Sequence, residues 1–214
     1  LPLDDARLSR SLDEVIARRV AFLTAYQNAR YARRYSVFVA KVRSTEAARA
    51  PGSTDLTEAV ARYAFKLMAY KDEYEVARLY TDTDFLKRVE GQFEGDYKLA
   101  FHLAPPLLSK RDKVTGELKK SQYGSWIFPA FRVLAKLRFL RGGLFDIFGH
   151  TEERRAERAR IGEYETTMRN LLAGLDRDKH ALCVQIAAIP EEIRGFGHVR
   201  QRHLKAAKAK EAEL

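Results

Sequence analysis

Cysteine is almost missing from this chain: Cys183 stands alone among 214 residues. A single thiol closes no internal disulfide and cannot hold an iron–sulfur cluster, so neither framework is available within these residues. A reducing cytoplasm is the compartment this cysteine usage suggests. Long apolar runs are missing too, and nothing approaches the roughly 20 residues a membrane span needs. The opening stretch carries Asp4, Asp5 and Arg7 without an apolar core and does not read as a signal peptide. Leu1 in place of Met points to processing or to a piece of a longer polypeptide. Histidines are few and scattered. His102, His150, His180, His198 and His203 form no HExxH and no i,i+4 pair, which with one cysteine argues against a zinc site. Glycine-rich phosphate loops are also lacking. Gly195-Phe196-Gly197 has no third glycine and no following lysine, so a chain reversal after Pro190 is the simpler reading.

Charge and helical periodicity are what the chain does have. Thirty-nine Lys and Arg face 29 Asp and Glu, a formal net charge of +10. Much of this charge is interspersed: Glu14 and Arg18, Glu58 and Arg62, and Asp84 and Arg88 share i,i+4 spacing, as on solvated helix faces. The surplus lies in Arg154, Arg155, Arg158 and Arg160 and in the basic tail from Arg200 to Lys210. A positive balance of this kind favours acidic partners.

Ser11-Leu12-Asp13-Glu14 forms a capping box, and the spacing predicts a long helix from there to about Ala47, because neither Gly nor Pro intervenes before Pro51-Gly52. Thr54 or Asp55 caps a second helix bearing Leu56, Val60, Tyr63, Ala64 and Leu67. Short helices follow over Glu73–Tyr80 and after Asp82. The period then falls to two at Tyr97, Leu99, Phe101 and Leu103, a strand signal that places His102 opposite the apolar face. Residues 107–124 read as an exposed hairpin or loop turning near Asp112–Glu117. Pro129 opens a fifth helix that Gly142-Gly143 ends, and Leu144–Gly149 is a short apolar connector. Thr151 caps a sixth helix, charged to Arg160 and amphipathic beyond it. A seventh, Leu182–Ile189, stops at Pro190, and a basic helix from Val199 closes the chain.

The expected fold is therefore mainly α, a multi-helix domain with a short antiparallel β-hairpin or strand pair near residues 96–124. Pro51-Gly52 is the clearest break. It divides a long N-terminal helical segment, 1–50, from a helical domain with a small β insert, 51–214, or marks a loop inside one domain.

Catalytic constellations are hard to find. Asp72-Glu73 and Glu191-Glu192 sit at helix starts, where the dipole favours acids. Cys183 shares an apolar face with Ile186 and reads as an inert thiol. Tyr63, Tyr70, Tyr74 and Tyr80 fall at core spacing. The segment Pro190–Arg200 mixes glycines with Arg194, His198 and Arg200, which could meet an anion. The plainer reading pairs Arg194 with Glu191 or Glu192 and is favoured. Gly95-Asp96 lacks the second glycine of the Gly-Asp-Gly with downstream Asn that holds magnesium diphosphate in thiamine enzymes.

Four strings carry a family resemblance: AYKDEYEVARLYTD (Ala69–Asp82), FEGDYKLAFHLAPPLL (Phe93–Leu108), FDIFGHTEERRAERARIGEYE (Phe145–Glu165) and PEEIRGFGHVRQRHL (Pro190–Leu204). With the opening Ser11–Tyr35 they resemble, in order and over nearly the whole chain, the C-terminal region of long bacterial indolepyruvate ferredoxin oxidoreductases. That resemblance implies a parent that oxidatively decarboxylates aryl 2-oxoacids to acyl-coenzyme A with thiamine diphosphate, magnesium and iron–sulfur clusters, in pyruvate metabolism. It implies a chain with no cofactor and no catalytic residue of its own, an accessory or interface domain against the catalytic domains. The cations Arg154, Arg155, Arg158, Arg160, Arg194 and Arg200, with His198, are then candidates to meet ferredoxin, coenzyme A phosphates or a partner domain. The competing reading is a basic helical module for nucleic acid or protein. It lacks any helix-turn-helix, zinc-finger or RNA-recognition signature, so nucleic acid is disfavoured.

Overall fold

The structure, a computed structural model, describes residues 11–95, 98–103 and 121–193. These contain eight α-helices and a two-stranded antiparallel sheet, the mainly helical fold with a strand pair that periodicity predicts. They divide into two compact units, one within 71–154 and one formed by 11–70 with 155–193. Pro51-Gly52 is a turn inside the second of these, and Gly52 takes φ 96°, a left-handed conformation that glycine adopts without a Cβ clash.

The unit of 11–70 and 155–193 is a helical cluster. α1 (Leu12–Tyr26) starts where Ser11 accepts the Glu14 amide at 3.2 Å. The single long helix expected to reach Ala47 is two: α2 (Ala29–Arg49) begins afresh at Asn28, whose side chain accepts the Tyr31 amide at 2.9 Å. A good N-cap is enough to restart a helix without glycine or proline, and the break lets α1 fold back on α2. The buried stripe of α2 is Ala32, Tyr35, Val39, Val42 and, at its end, Glu46. α3 (Asp55–Met68) buries Leu56, Val60, Ala64 and Leu67 against it. α7 (Glu152–Ala173) adds Ile161, Tyr164, Met168 and Leu172, and α8 (His180–Ala188) adds Cys183, Ile186 and Ala187. Pro190 does not end that element abruptly: a 3₁₀ turn, Ile189–Glu192, carries Pro190 in its first turn, where a missing amide costs nothing.

Three tyrosines here are buried with their hydroxyls satisfied by main chain, while buried Tyr63 donates to the Glu191 carboxylate at 2.6 Å. Tyr26 donates to Tyr70 O at 2.8 Å, Tyr35 to Ala61 O at 3.0 Å and Tyr164 to Ala187 O at 2.9 Å. Each bond ties a helix to a non-adjacent backbone carbonyl, which apolar contact alone would not orient.

The unit within 71–154 is smaller. α4 (Glu73–Thr81) packs on α6 (Phe128–Lys136) with Ala77 and Ala135 fully buried, small residues that let two helices approach closely. α5 (Phe85–Glu90) follows α4. β1 (Ala100–Leu103) pairs with β2 (Ser121–Gly124), Phe101 opposite Tyr123. Phe101 points inward and His102 outward, as the alternation predicts. Tyr80, Phe101, Phe128 and Phe131 form an aromatic knot, with Tyr80–Phe101 centroids at 4.9 Å and Phe101–Phe128 at 5.2 Å. α6 runs into a 3₁₀ turn, Leu137–Leu140, and Gly142, at φ 75°, reverses the chain. Among the described residues no helix is long and apolar enough to cross a membrane. The turn expected near 112–117 and the helix expected from Val199 lie outside the described residues.

Burial raises the Tyr164 pKa. The sign of the linkage follows: the unfolded phenol ionises above about pH 10, the buried one does not, so stability is complete below pH 10 and falls as pH rises through that range. The expected slope from this residue is about 1.4 kcal/mol per pH unit. Tyr164→Phe should cost about 1 kcal/mol at neutral pH and flatten the alkaline limb of urea-unfolding midpoints. An unchanged limb would overturn the account.

Candidate functional site

Three arrangements of polar or exposed side chains stand out. The first is centred on Glu46, buried at 1% exposure at the C-terminal end of α2. Its Oε1 accepts the Leu56 amide at 2.9 Å and lies 2.7 Å from His180 Nε2. Its Oε2 accepts the Thr57 amide at 2.8 Å and the Thr57 hydroxyl. Glu46 thus caps α3 from another helix. Thr54, in the N-cap position, makes no side-chain cap bond to the backbone and donates to Glu58 at 3.0 Å. A carboxylate offers roughly four lone-pair sites, and all are used. With no site left over to accept a substrate proton, the Glu46–His180 pair is a structural clasp.

The second lies in the smaller unit. Asp72 caps α4 through the Glu75 amide at 2.9 Å and holds Arg141 in a bidentate pair, 2.5 and 2.7 Å, both side chains buried. The Arg141 guanidinium lies over the Tyr74 ring at 5.6 Å. Tyr74 donates to Asp146 Oδ1 at 3.1 Å; burial first, and Asp146 second, raise its pKa. Asp146 also accepts the Gly142 amide at 2.7 Å and the Gly149 amide at 2.9 Å, so one buried carboxylate fastens both ends of the 142–149 loop. Phe148 anchors the loop inward, edge-on to Tyr74 at 5.4 Å.

What that loop presents outward is the third arrangement. Leu144 is 89% exposed, Phe145 77% and Ile147 59%. With Trp126, Val133 and Phe139 they make six of the nine exposed large apolar side chains among the described residues, all between Trp126 and Ile147. Val133 sits on the face of α6 opposite Phe131 and Ala135, the face away from α4. The sequence marked 144–149 as an apolar connector. The further signal was in α6 and the 3₁₀ turn after it, where Val133 and Phe139 are apolar yet fall off the buried stripe.

The candidate cations fare differently from one another. Arg154 is an internal residue of its unit: its side chain is largely buried and pairs with Glu73 at 3.4 Å, and although burial opposes its charge, Glu73 more than offsets this and its pKa is raised. Arg160 pairs with Glu157 at 3.2 Å, and Glu157 is itself buried, one helical turn before Ile161. The charged half of α7 is therefore partly internal. Arg158 is half-buried, and Arg155 is the exposed member of the four. Arg194, His198 and Arg200 lie outside the described residues. Among the described residues, no group of three or more His, Cys, Asp or Glu could hold a metal ion. Cys183 is buried, which pushes its thiol pKa up and leaves it a poor nucleophile.

A mainly helical chain in two units, with Glu46, Asp72 and Asp146 each held by several internal donors and exposed apolar side chains on one unit, is the class of protein these features define. The chain belongs to the family of unknown function designated DUF6537, which it matches over residues 12–213. No curated protein and no solved structure matches it.

Two mutational tests follow from the clasps. Glu46→Ala should destabilise the larger unit by about 3 kcal/mol, since it strands buried donors, whereas Thr54→Ala should cost less than about 0.5 kcal/mol. Equal effects in urea unfolding would contradict capping from α2. Arg141→Ala leaves the Asp72 charge buried without its main partner and should cost about 3–5 kcal/mol, against about 1 kcal/mol for Tyr74→Phe. A loss below 1 kcal/mol for Arg141→Ala would show that the pair is not the clasp described.

Proposed function

We propose that this chain is a non-catalytic accessory domain of a larger cytoplasmic, thiamine-diphosphate-dependent indolepyruvate:ferredoxin oxidoreductase, and that it docks against the catalytic domains of that enzyme. The observation that carries the reading is the concentration of exposed Leu, Phe, Ile and Trp side chains between Trp126 and Ile147. Exposed apolar area gathered on one short segment marks a contact surface. The string resemblance at Ala69–Asp82, Phe93–Leu108, Phe145–Glu165 and Pro190–Leu204 supplies the identity of the partner. One of those strings, Phe145–Glu165, begins on the outward-facing loop itself.

The internal chemistry supports the same reading. Glu46, Asp72 and Asp146 all have their oxygens engaged by internal donors, and Arg141, Arg154 and Arg160 are held by internal carboxylates. Thiamine diphosphate, magnesium and iron–sulfur clusters would then be held by other parts of the parent, with coenzyme A and ferredoxin meeting the assembled enzyme. The ion pairing of Arg154 and Arg160 also takes cations away from a phosphate-binding stripe, which weakens the nucleic-acid alternative.

Deleting this segment from the parent enzyme should abolish stable assembly, seen by sedimentation, and lower oxidative decarboxylation at least about tenfold, as expected where a large apolar contact is lost. The isolated 214-residue chain should show no turnover and no calorimetric binding of thiamine diphosphate. Unchanged assembly and turnover after deletion, or turnover by the isolated chain, would overturn the proposal.

A further inference from the structure

Helix α2 carries six cations and a single acid, Glu46, which is buried. The buried stripe of α2 fixes its inward side, so its outer side is defined within one helix. Along that outer side run Arg30, Arg33, Val37 and Lys41, all exposed, Val37 at 58%. Arg33 and Lys41 stand one turn to either side of Val37, and Arg30 lies one turn before Arg33. At 1.5 Å of rise per residue, the three cations span about 16 Å of the helix.

How the cations of α2 are matched depends on where they point. Arg34 meets α7, where Glu165 holds it through two bonds at 2.7 and 3.0 Å and also takes Arg169 at 3.6 Å. Arg43 meets α1 and is paired with Asp13. The outward cations have no such neighbour: no described carboxylate lies within ion-pair distance of Arg30, Arg33 or Lys41. The other acids of α1 and α7 are engaged or distant. Glu14 and Glu163 have interactions of their own, Glu157 is buried with Arg160, and Glu152 and Glu153 stand about 18 Å or more along α7 from Glu165. α3 packs on α2 with its own buried residues, on the opposite side.

Beyond Lys41 the same side of α2 changes character. Ala40, Ser44, Ala47 and Ala48 are exposed and small, and the Ser44 hydroxyl is turned back onto the Lys41 carbonyl at 3.0 Å. This half carries neither outward charge nor bulk, so it leaves room for a second helix to lie close.

That combination selects among anionic partners. Duplex DNA carries one charge per roughly 1.7 Å of axis and is matched by a continuous run of cations, which this side lacks after Lys41. Acidic lipid draws clusters of roughly four to eight cations, and three fall short. A second copy of the same face would set cation against cation. A helix with carboxylates at one-turn spacing and an apolar residue among them matches the basic half by charge, Val37 by contact and the small half by shape.

We propose that the outer side of α2 seats an acidic amphipathic helix of another protein. The site lies in the larger unit, apart from the apolar segment on which the accessory-domain reading rests, and stands without that reading.

Fluorescence anisotropy with the full chain tests this. The probe is a dye-labelled Ala-based helix of the length of α2, with Glu at one-turn spacing and one Leu on the same side. The comparison probes are a scrambled peptide of the same composition, a labelled DNA duplex, and vesicles of equimolar phosphatidylcholine and phosphatidylserine. The helix should bind at least about tenfold more tightly than the scrambled peptide, and its affinity should fall as salt is added. Arg33→Glu with Lys41→Glu should weaken it about tenfold or more. Arg132→Glu with Lys136→Glu, the same change of net charge at exposed cations of α6, should leave it within about twofold. Ser44→Trp, which adds bulk to the small half without altering charge, should weaken it about tenfold. Far-ultraviolet circular dichroism checks that each variant folds. Equal affinity for the scrambled peptide, equal losses from the two charge pairs, an unaffected Ser44→Trp, tighter binding of DNA or vesicles than of the helix, or no binding at all would each overturn the proposal.

Discussion

A carboxylate removed from water must have its oxygens saturated by donors, and this constraint organises both units of the protein. In the larger one, Glu46 gathers two amides of α3, the Thr57 hydroxyl and His180 of α8, so one side chain fixes three helices in register. In the smaller one, Asp72 and Asp146 share the task. Asp72 binds α4 to Arg141, and Asp146 binds Tyr74 and the two ends of a loop. An apolar core tolerates small rotations of its helices. A carboxylate with several donors fixed on different segments tolerates few, because each lost bond leaves a buried charge less compensated.

How far these devices were legible in sequence depended on how local they are. The Ser11 capping box, the Thr151 cap and the alternation at Phe101–His102 involve residues a few positions apart, and each could be placed from spacing alone, whereas the fifth helix, expected to run to Gly142, gives way to a 3₁₀ turn after Lys136. The restart at Asn28 was equally local but was hidden by treating the lack of glycine and proline as continuity. An N-cap residue can break a helix where the apolar stripe must change direction. Glu46 gave no signal at all. It sits at the end of a charged helix in the sequence, and its role arises from His180, 134 positions away. Arg154 and Arg160 illustrate the same limit from the other side. A run of arginines reads as surface until Glu73, 81 positions from Arg154, is brought to it; the Glu157–Arg160 pair, by contrast, is local, and only the burial of Glu157 was hidden.

The outward-facing loop follows from the same constraint. Leu144, Phe145 and Ile147 would, in a free loop, turn toward the nearest apolar surface and cover themselves. Here Gly142 and Gly149 are both held by Asp146, and Phe148 alone faces in, so the chain between them lacks the freedom to do so. Exposure of this kind is costly in water, and a contact that covered it would recover that cost. Rigidity then works in favour of that contact. A loop whose backbone is already ordered loses little further entropy when a partner closes on it, so more of the apolar contact energy appears as affinity.

The division of charge between inside and outside sharpens this point. Buried guanidinium groups at Arg141 and Arg154 are neutralised by Asp72 and Glu73, two adjacent residues at the start of α4. That arrangement removes both cations from the surface and both acids with them. What remains outward on α6 is Arg132 and Lys136 beside Val133. Disrupting Asp72 would therefore free Arg141, the residue that leads into the loop presenting Phe145. Asp72 and Asp146 thus act in series, the one holding the residue before the loop and the other its two ends, so the order of an exposed loop rests on buried carboxylates.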